Sequence, residues 1–275
     1  MTGVEWEYNR ATKPGHIAKW MRKWRGKVIT DGSCGMEVVS APMAGDHIKK
    51  ALTELGTAFS EANATADQRC GIHVHVDTSD LMWTDMCRLL TVYARIEPLL
   101  YLLAGQERCQ NQFSRTCGED YKKALLSEDW KGSILAVAFG HTSNKNEVAA
   151  RAHVKSATKK DGGRYRGLNI CPWLAGRKLK APDTTVEFRI HQGTLDANRV
   201  AGWARLCASI IDWVAKSSDK DVAKLPKSAL QILCKHIAPD MKPWIIGRIN
   251  EWRKMTKRGS LTKKLVHFRG GKCAF

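Results

Sequence analysis

A chain of 275 residues, 43% of them hydrophobic and ten of them Trp, is long enough to bury a sizeable core, which excludes a disordered tail. Its 45 Lys and Arg against 27 acids give a formal charge of +18, which favours anionic partners and carries no information about fold. Nine Cys, an odd number without CxxC or zinc-finger spacing, exclude a disulfide framework and predict reduced thiols in the cytoplasm. With a polar start and no apolar run of membrane-spanning length, the expectation is a soluble, unexported protein with no membrane partner.

Taken in order, the chain opens on a strand at residues 4–8 and continues into a short basic helix at 16–25. Residues 28–33 read as a strand entering the Asp31-Gly32 turn, and residues 36–40 as a strand ending before Pro42. Asp46 caps a helix whose Ile48, Leu52, Leu55 and Phe59 recur at helical spacing. After the strand 70–77, Thr78 or Ser79 starts a second helix with Met82, Met86, Leu89 and Tyr93 along one face. Pro98 is expected to kink or restart that helix before Gly105. Residues 106–117 are polar, with Arg108, Asn111 and Arg115; helices are expected at 121–130 and 144–160, and 134–139 is ambiguous. A strand at 164–170 pairs antiparallel with one around Val186 through a loop holding Gly176, Lys178 and Pro182. Asp196 then caps a helix with Val200, Trp203, Cys207, Ile210 and Val214 on its core face, and helices follow at 228–237 and 243–256. The stretch 241–275 carries ten Lys and Arg and one acid, Glu251.

Three stretches alternate strictly, and strand side chains repeat every two residues. In the first, Glu5 and Glu7 oppose Val4, Trp6 and Tyr8; in the second, His73, His75 and Asp77 oppose Ile72, Val74 and Val76. In the third, Glu187, Arg189 and His191 oppose Val186, Phe188 and Ile190. One such strand alone reads as a half-exposed edge with a solvated face. Solvated faces, however, carry mostly Lys, Thr, Ser and Gln. Fronts built from Glu, His, Asp and Arg, repeated three times, point to one site on one sheet. His16, His47, His141 and His236 read as surface or packing residues.

The series Glu5-x-Glu7, Asp31-Gly32-Ser33 with Glu37, Gly71-x-His73-x-His75, Thr185-Val186-Glu187-Phe188-Arg189 and Gly193-Thr194-Leu195-Asp196 resembles the amidoligase family. These are carboxylate–amine ligases with a glutamine synthetase-like catalytic fold, and the similarity spans roughly Val4 to Val214. The resemblance implies an α+β fold: an antiparallel sheet of glutamine synthetase-like type with helices on its outer face. It implies a catalytic domain at 1–217, followed by a basic helical extension at 218–275 packed on it. It further implies ATP with two or three Mg2+ ions (Mn2+ being an alternative), held by Glu5, Glu7, Glu37, His73 and Glu187. By the same matching His75 contacts nucleotide or substrate, Arg189 holds the transferring phosphate, and Arg166 or Arg164 makes a second phosphate contact. Asn169 lines the pocket, while Asp31 and Ser33 bind substrate or shape the turn. The implied substrates are a carboxylate and an amine from an amino acid, a peptide or a protein side chain.

Those residue types suit the chemistry. A free carboxylate is a poor electrophile, and phosphorylation by ATP turns it into an acyl phosphate that an amine attacks to form an amide or isopeptide bond. Phosphoryl transfer asks mainly for positioning and charge neutralisation, which oxygen ligands on hard cations and planar guanidinium groups supply. Three other readings stand beside it. One is a phosphotransferase on the same fold. Another is a metal-dependent hydrolase using His73, His75 and Asp77. The third is a nucleic-acid-binding protein, suggested by the +18 charge and the basic C-terminal stretch.

Overall fold

The computed structural model describes residues 1–105, 108, 114, 116, 165–173, 184–257, 267–268 and 271–272. The helices expected at 121–130 and 144–160, the ambiguous 134–139 and the loop with Gly176, Lys178 and Pro182 lie outside the described residues.

The opening alternation forms β1 (Thr2–Tyr8), and α1 (Gly15–Trp24) follows it. The Asp-Gly turn joins β2 (Lys27–Asp31) to β3 (Gly35–Val39); Asp31 Oδ1 accepts from the backbone N–H of Ser33 at 2.7 Å, closing the turn locally. Next come α2 (Asp46–Glu61), β4 (Gly71–Asp77) and α3 (Trp83–Ala104). Asp46 is the first residue of α2, and Gly45 takes the cap position.

The helix α3 differs from expectation at both marked points. It begins at Trp83, so Met82 precedes it and is exposed, while the Asp85 carboxylate accepts the Met82 N–H at 2.7 Å. Pro98 lies inside it without ending it. An internal Pro costs roughly 3 kcal/mol, but Leu99, Leu100, Leu102 and Leu103 are buried beyond it, and their packing holds the last turns in place.

Strand β5 is only Leu168–Asn169, and it pairs antiparallel with β6 (Thr185–Gln192) as the sequence suggests. The helix α4 (Ala197–Lys216) is capped by Asp196, whose Oδ1 accepts from Asn198 N at 3.0 Å and Arg199 N at 3.2 Å. All five residues expected on its core face are buried. After it come α5 (Asp219–Ala223), a helical turn at Ala229–Gln231 continuing as a π-helix over Ile232–Ile237, a 3-10 turn at Pro239–Met241 and α6 (Lys242–Lys257), while His267–Phe268 and Gly271–Lys272 form a separate antiparallel pair. Of these, α5, the turn with its π-helix and α6 pack against α3 and α4.

The six strands form one open sheet in the order β2-β3-β1-β4-β6-β5, every adjacent pair antiparallel. Trp6, Val38, Ile72, Val74, Val186 and Phe188 point to the side where α2, α3 and α4 pack, and are fully buried. Trp6 meets Phe59 of α2 edge-on at 5.1 Å between ring centres. The architecture is α+β, helices on one face of an antiparallel sheet, and none of its described helices is long and apolar enough to cross a membrane.

Where β6 meets β4 the pairing slips. Val74 opposes Phe188, yet Ile72 opposes His191, so two steps of β4 are matched by three of β6. The extra residue is a β-bulge, and beyond it the alternation reverses. His191 therefore leaves the face of Glu187 and Arg189, contrary to its placement by simple alternation, and enters the core, where it lies 5.4 Å from the Trp203 ring. Its Nδ1 donates to the Gln192 carbonyl at 2.7 Å and its Nε2 has no partner among the described residues; burial pushes the imidazole down to about 3.

Candidate active site

The sheet face turned away from these helices collects the charged fronts, and register does the collecting. Glu7 pairs with Glu37, Glu5 with His73, His75 with Glu187, and Glu187 with Asn169. Side chains directly opposite on neighbouring strands stand close together. Residues scattered along the sequence thus become one row across four neighbouring strands, with Asn169 beyond them on the fifth.

The contacts follow. His73 Nδ1 lies 3.0 Å from Glu5 Oε2 and 3.4 Å from Glu187 Oε1, and its Nε2 lies 3.8 Å from Glu7 Oε1. His75 Nε2 lies 3.2 Å from Glu5 Oε1 and 3.9 Å from Glu187 Oε1, while its Nδ1 is 3.3 Å from the Thr185 hydroxyl. Asn169 Nδ2 donates to Glu187 Oε2 at 2.6 Å, and Arg189 Nη1 donates to Glu187 Oε1. Glu7, Glu37, His73, Asn169 and Glu187 are all buried.

Burying carboxylates together is costly unless positive charge meets them. Burial, then the charges of Glu5 and Glu7, push the Glu37 carboxyl up to about 8. Burial also acts on Glu5, but contact with His73 and His75 outweighs it and draws Glu5 well below the usual carboxylate range. His75 moves the other way: burial opposes its charge, and the Glu5 and Glu187 carboxylates raise it above the ordinary imidazole value. Glu7 is raised by burial, against the pull of His73, the Gly71 N–H and Arg108.

Two groups of donors lie within 4.8 Å of one another: Glu5, Glu37 and His73, and Glu5, His75 and Glu187. Their carboxylate-dominated chemistry fits a hard divalent cation such as Mg2+ or Mn2+ better than a thiolate-bound zinc. A third group, Glu7, Asp31 and Cys34, is less suited, because burial and the nearby acids hold the Cys34 thiol far above its usual value and hence protonated.

The cluster floors a cleft of about 340 Å3. Its lining combines the acidic and imidazole groups of Glu5, Glu7, Asp31, Glu37 and His73 with Ser33, Tyr165 and the guanidinium groups of Arg69, Arg108 and Arg189. The Ser33 hydroxyl donates to Asp31, so the turn is internally tied. Arg166 donates to the Thr116 carbonyl at 3.4 Å and is not among the cleft residues; its neighbour Tyr165 is. Arg164 lies outside the described residues.

Arg108 is the residue that sequence reasoning passed over, naming it only within a polar stretch. The chain leaves α3 at Gly105, whose φ of 116° suits glycine, and Arg108 returns to lie on β4. It is 4% exposed, donates to the Arg189 carbonyl at 3.4 Å and has an Nε without a partner among the described residues. A Cβ on Gly71 would stand 2.6 Å from Arg108 Nη2 and 3.3 Å from Glu7 Oε2. The glycine of the Gly-x-His-x-His stretch therefore leaves the room in which the Arg108 guanidinium group sits against the strand beside Glu7. That glycine was the available signal.

A comparison with curated proteins finds no match. A family model does match: residues 4–211 fit the family described as "Putative amidoligase enzyme", and the chain belongs to that family.

Proposed function

We propose that the protein is an ATP- and Mg2+-dependent carboxylate–amine ligase of glutamine synthetase-like type. The observation that carries this reading is a row of buried carboxylates and imidazoles flanked by Arg108 and Arg189 in one cleft. Such a cleft offers cation ligands and guanidinium groups side by side, the combination that a phosphoryl group in transfer requires.

In this reading Glu5, Glu37 and His73, with Glu7 near them, hold one cation, and Glu5, His75 and Glu187 hold a second. The bound cations supply charge neutralisation to the triphosphate. Arg189 binds the transferring phosphoryl oxygens, and Glu187 and Asn169 fix its direction from one side. A substrate carboxylate oxygen attacks the γ-phosphorus and ADP departs with the electrons of the broken P–O bond. The amine nitrogen then attacks the acyl carbon, phosphate leaves with the C–O electrons, and the nitrogen gives up a proton. The released phosphate, itself a base at neutral pH, takes up that proton, and His75 stays with Glu5 and Glu187 in the second donor group.

A hydrolase built on His73, His75 and Asp77 fits less well. Among the described residues the two imidazoles fall into different donor groups, and Asp77 joins neither. Phosphotransfer without amide formation shares the site and differs only in outcome. The test is incubation with Mg-ATP and pools of amino acids and peptides, with ADP and product mass both read. ADP together with a product lighter by one water than its parts supports ligation. ADP without an amide indicates phosphotransfer, and nucleotide-independent turnover with bound zinc indicates hydrolysis.

A further inference from the structure

A second cavity, of about 520 Å3, adjoins the first across Glu5 and is different in kind. Val4, Val39, Ala41 and Pro42 give it an apolar wall, and Glu5 and His75 connect it to the carboxylate row. On its open side stand Arg25 and Lys27, both exposed. Neither side chain has a hydrogen-bond or ion-pair partner among the described residues.

The positive charge continues outward from this rim. Lys19 and Arg22 on α1 and Lys49 and Lys50 on α2 are exposed and make no ion pair among the described residues. The two helices pack antiparallel, as Lys23–Glu54 at 2.8 Å and His16–Glu61 at 2.9 Å show, so the end of α1 lies beside the middle of α2 and the first two turns of α2 extend past it. Glu54 and Glu61 are used in those pairs, which leaves Asp46 as the one unpaired acid on the two helices. Like charges held together raise the local potential and attract polyanions. Single-stranded nucleic acid is one polyanion, but its sites stack bases on exposed aromatic rings. The large exposed apolar side chains among the described residues are Met1, Ile29 and Met82, none of them aromatic. A peptide needs no stacking surface, and its end fits a cavity with an apolar wall and a charged rim.

We propose that the second cavity and its cationic rim dock an acidic peptide substrate, with its reacting end inside and its neighbouring carboxylates on Arg25, Lys27 and the α1–α2 cations. What the reacting end does there rests on the ligase reading; the docking itself does not.

Fluorescence anisotropy of the full chain with labelled hexaglutamate tests this, with hexaglutamine and an oligothymidylate of similar charge as comparisons. Hexaglutamate is expected to bind, hexaglutamine not to bind, and oligothymidylate to bind more weakly. Arg25→Gln with Lys27→Gln should weaken hexaglutamate by about tenfold or more, whereas Lys224→Gln with Lys227→Gln, both exposed just after α5, should not. Arg25→Gly gives a second variant suited to the left-handed backbone at this position, φ 54° and ψ 31°. It should weaken the same peptide while unfolding no earlier than wild type.

Mg-ADP affinity, measured by calorimetry on the same proteins, separates the two readings. If wild type binds hexaglutamate through the rim but not Mg-ADP, the docking site stands and the ligase reading falls. Unchanged hexaglutamate affinity in the rim variants overturns the proposal. Oligothymidylate binding as tight as hexaglutamate assigns the rim to nucleic acid and overturns it as well. Loss of Mg-ADP affinity in the rim variants gives the cavity to the nucleotide, with the same consequence.

Discussion

On one face of the central sheet, β1, β4 and β6 present Trp6, Ile72, Val74 and Phe188; on the other, the same strands present Glu5, Glu7, His73 and Glu187. Most of these side chains are buried on both faces. The energetics are opposite. Apolar burial contributes roughly 25 cal/mol per Å2 removed from water, whereas each buried carboxylate is desolvated and depends on neighbouring cations or protons. Folding is therefore driven from the helix side and opposed from the cleft side. Substitutions one residue apart on a strand should separate stability from activity.

The largest expected effect belongs to the helix-side face. Phe188→Ala should cost about 3–5 kcal/mol of stability through the cavity it leaves, read as a lower urea midpoint, while the folded fraction still turns over substrate. Its neighbour should show the reverse. Arg189→Ala should raise the barrier by about 3 kcal/mol, a loss on the order of a hundredfold in Mg-ATP-dependent turnover, and should lower the urea midpoint less than Phe188→Ala does, because Glu187 keeps Asn169 and His73 beside it. Normal turnover in that variant would remove Arg189 from the phosphate.

His191 sharpens the comparison, because the bulge moves it from the polar face to the apolar one. Its folded value of about 3 lies below the ordinary 6.5 of histidine. Above pH 6.5 both folded and unfolded chains hold it neutral, and it contributes no pH dependence. As pH falls below 6.5 the unfolded chain takes up a proton that the folded chain refuses, so stability drops by about 1.4 kcal/mol per unit until near pH 3. Between pH 7 and pH 5 wild type should thus lose roughly 2 kcal/mol more than His191→Phe. Equal losses would place His191 in contact with water.

The smallest expected effect lies at the rim. Arg25→Gly removes a side chain from a left-handed position but loosens the unfolded chain, and the two effects nearly offset. Unfolding free energy should change by less than about 1 kcal/mol, on the stabilising side. A clear destabilisation would mean that the Arg25 side chain contributes packing.

Much of this molecule was legible residue by residue. The apolar backs of the three strands, the Asp31-Gly32 reversal, the Asp196 cap and the buried face of α4 all depend on side-chain direction and local hydrogen bonding, which neighbouring residues dictate. The carboxylates and imidazoles at Glu5, Glu7, His73, His75 and Glu187 were legible for the same reason, whereas Glu37 entered only through the resemblance to the amidoligase family. Other features were not. The continuation of α3 through Pro98 depends on packing from elsewhere in the chain. Arg108 enters the cleft through a turn at Gly105 and a space above Gly71, and although Gly71 marks that space, nothing local says which side chain fills it. The second cavity with its cationic rim brings together β1, β3, β4 and the start of β2.

By itself the sequence determined which side chains share a face, since the period of two is a property of the extended backbone. The tertiary structure alone decided which faces meet and where the period breaks. Glu5 lies opposite His73, and Glu187 opposite His75, because strands far apart in the chain hydrogen-bond in one register. His191 turns inward because one extra residue in β6 reverses the alternation, and no neighbour in the sequence marks that residue.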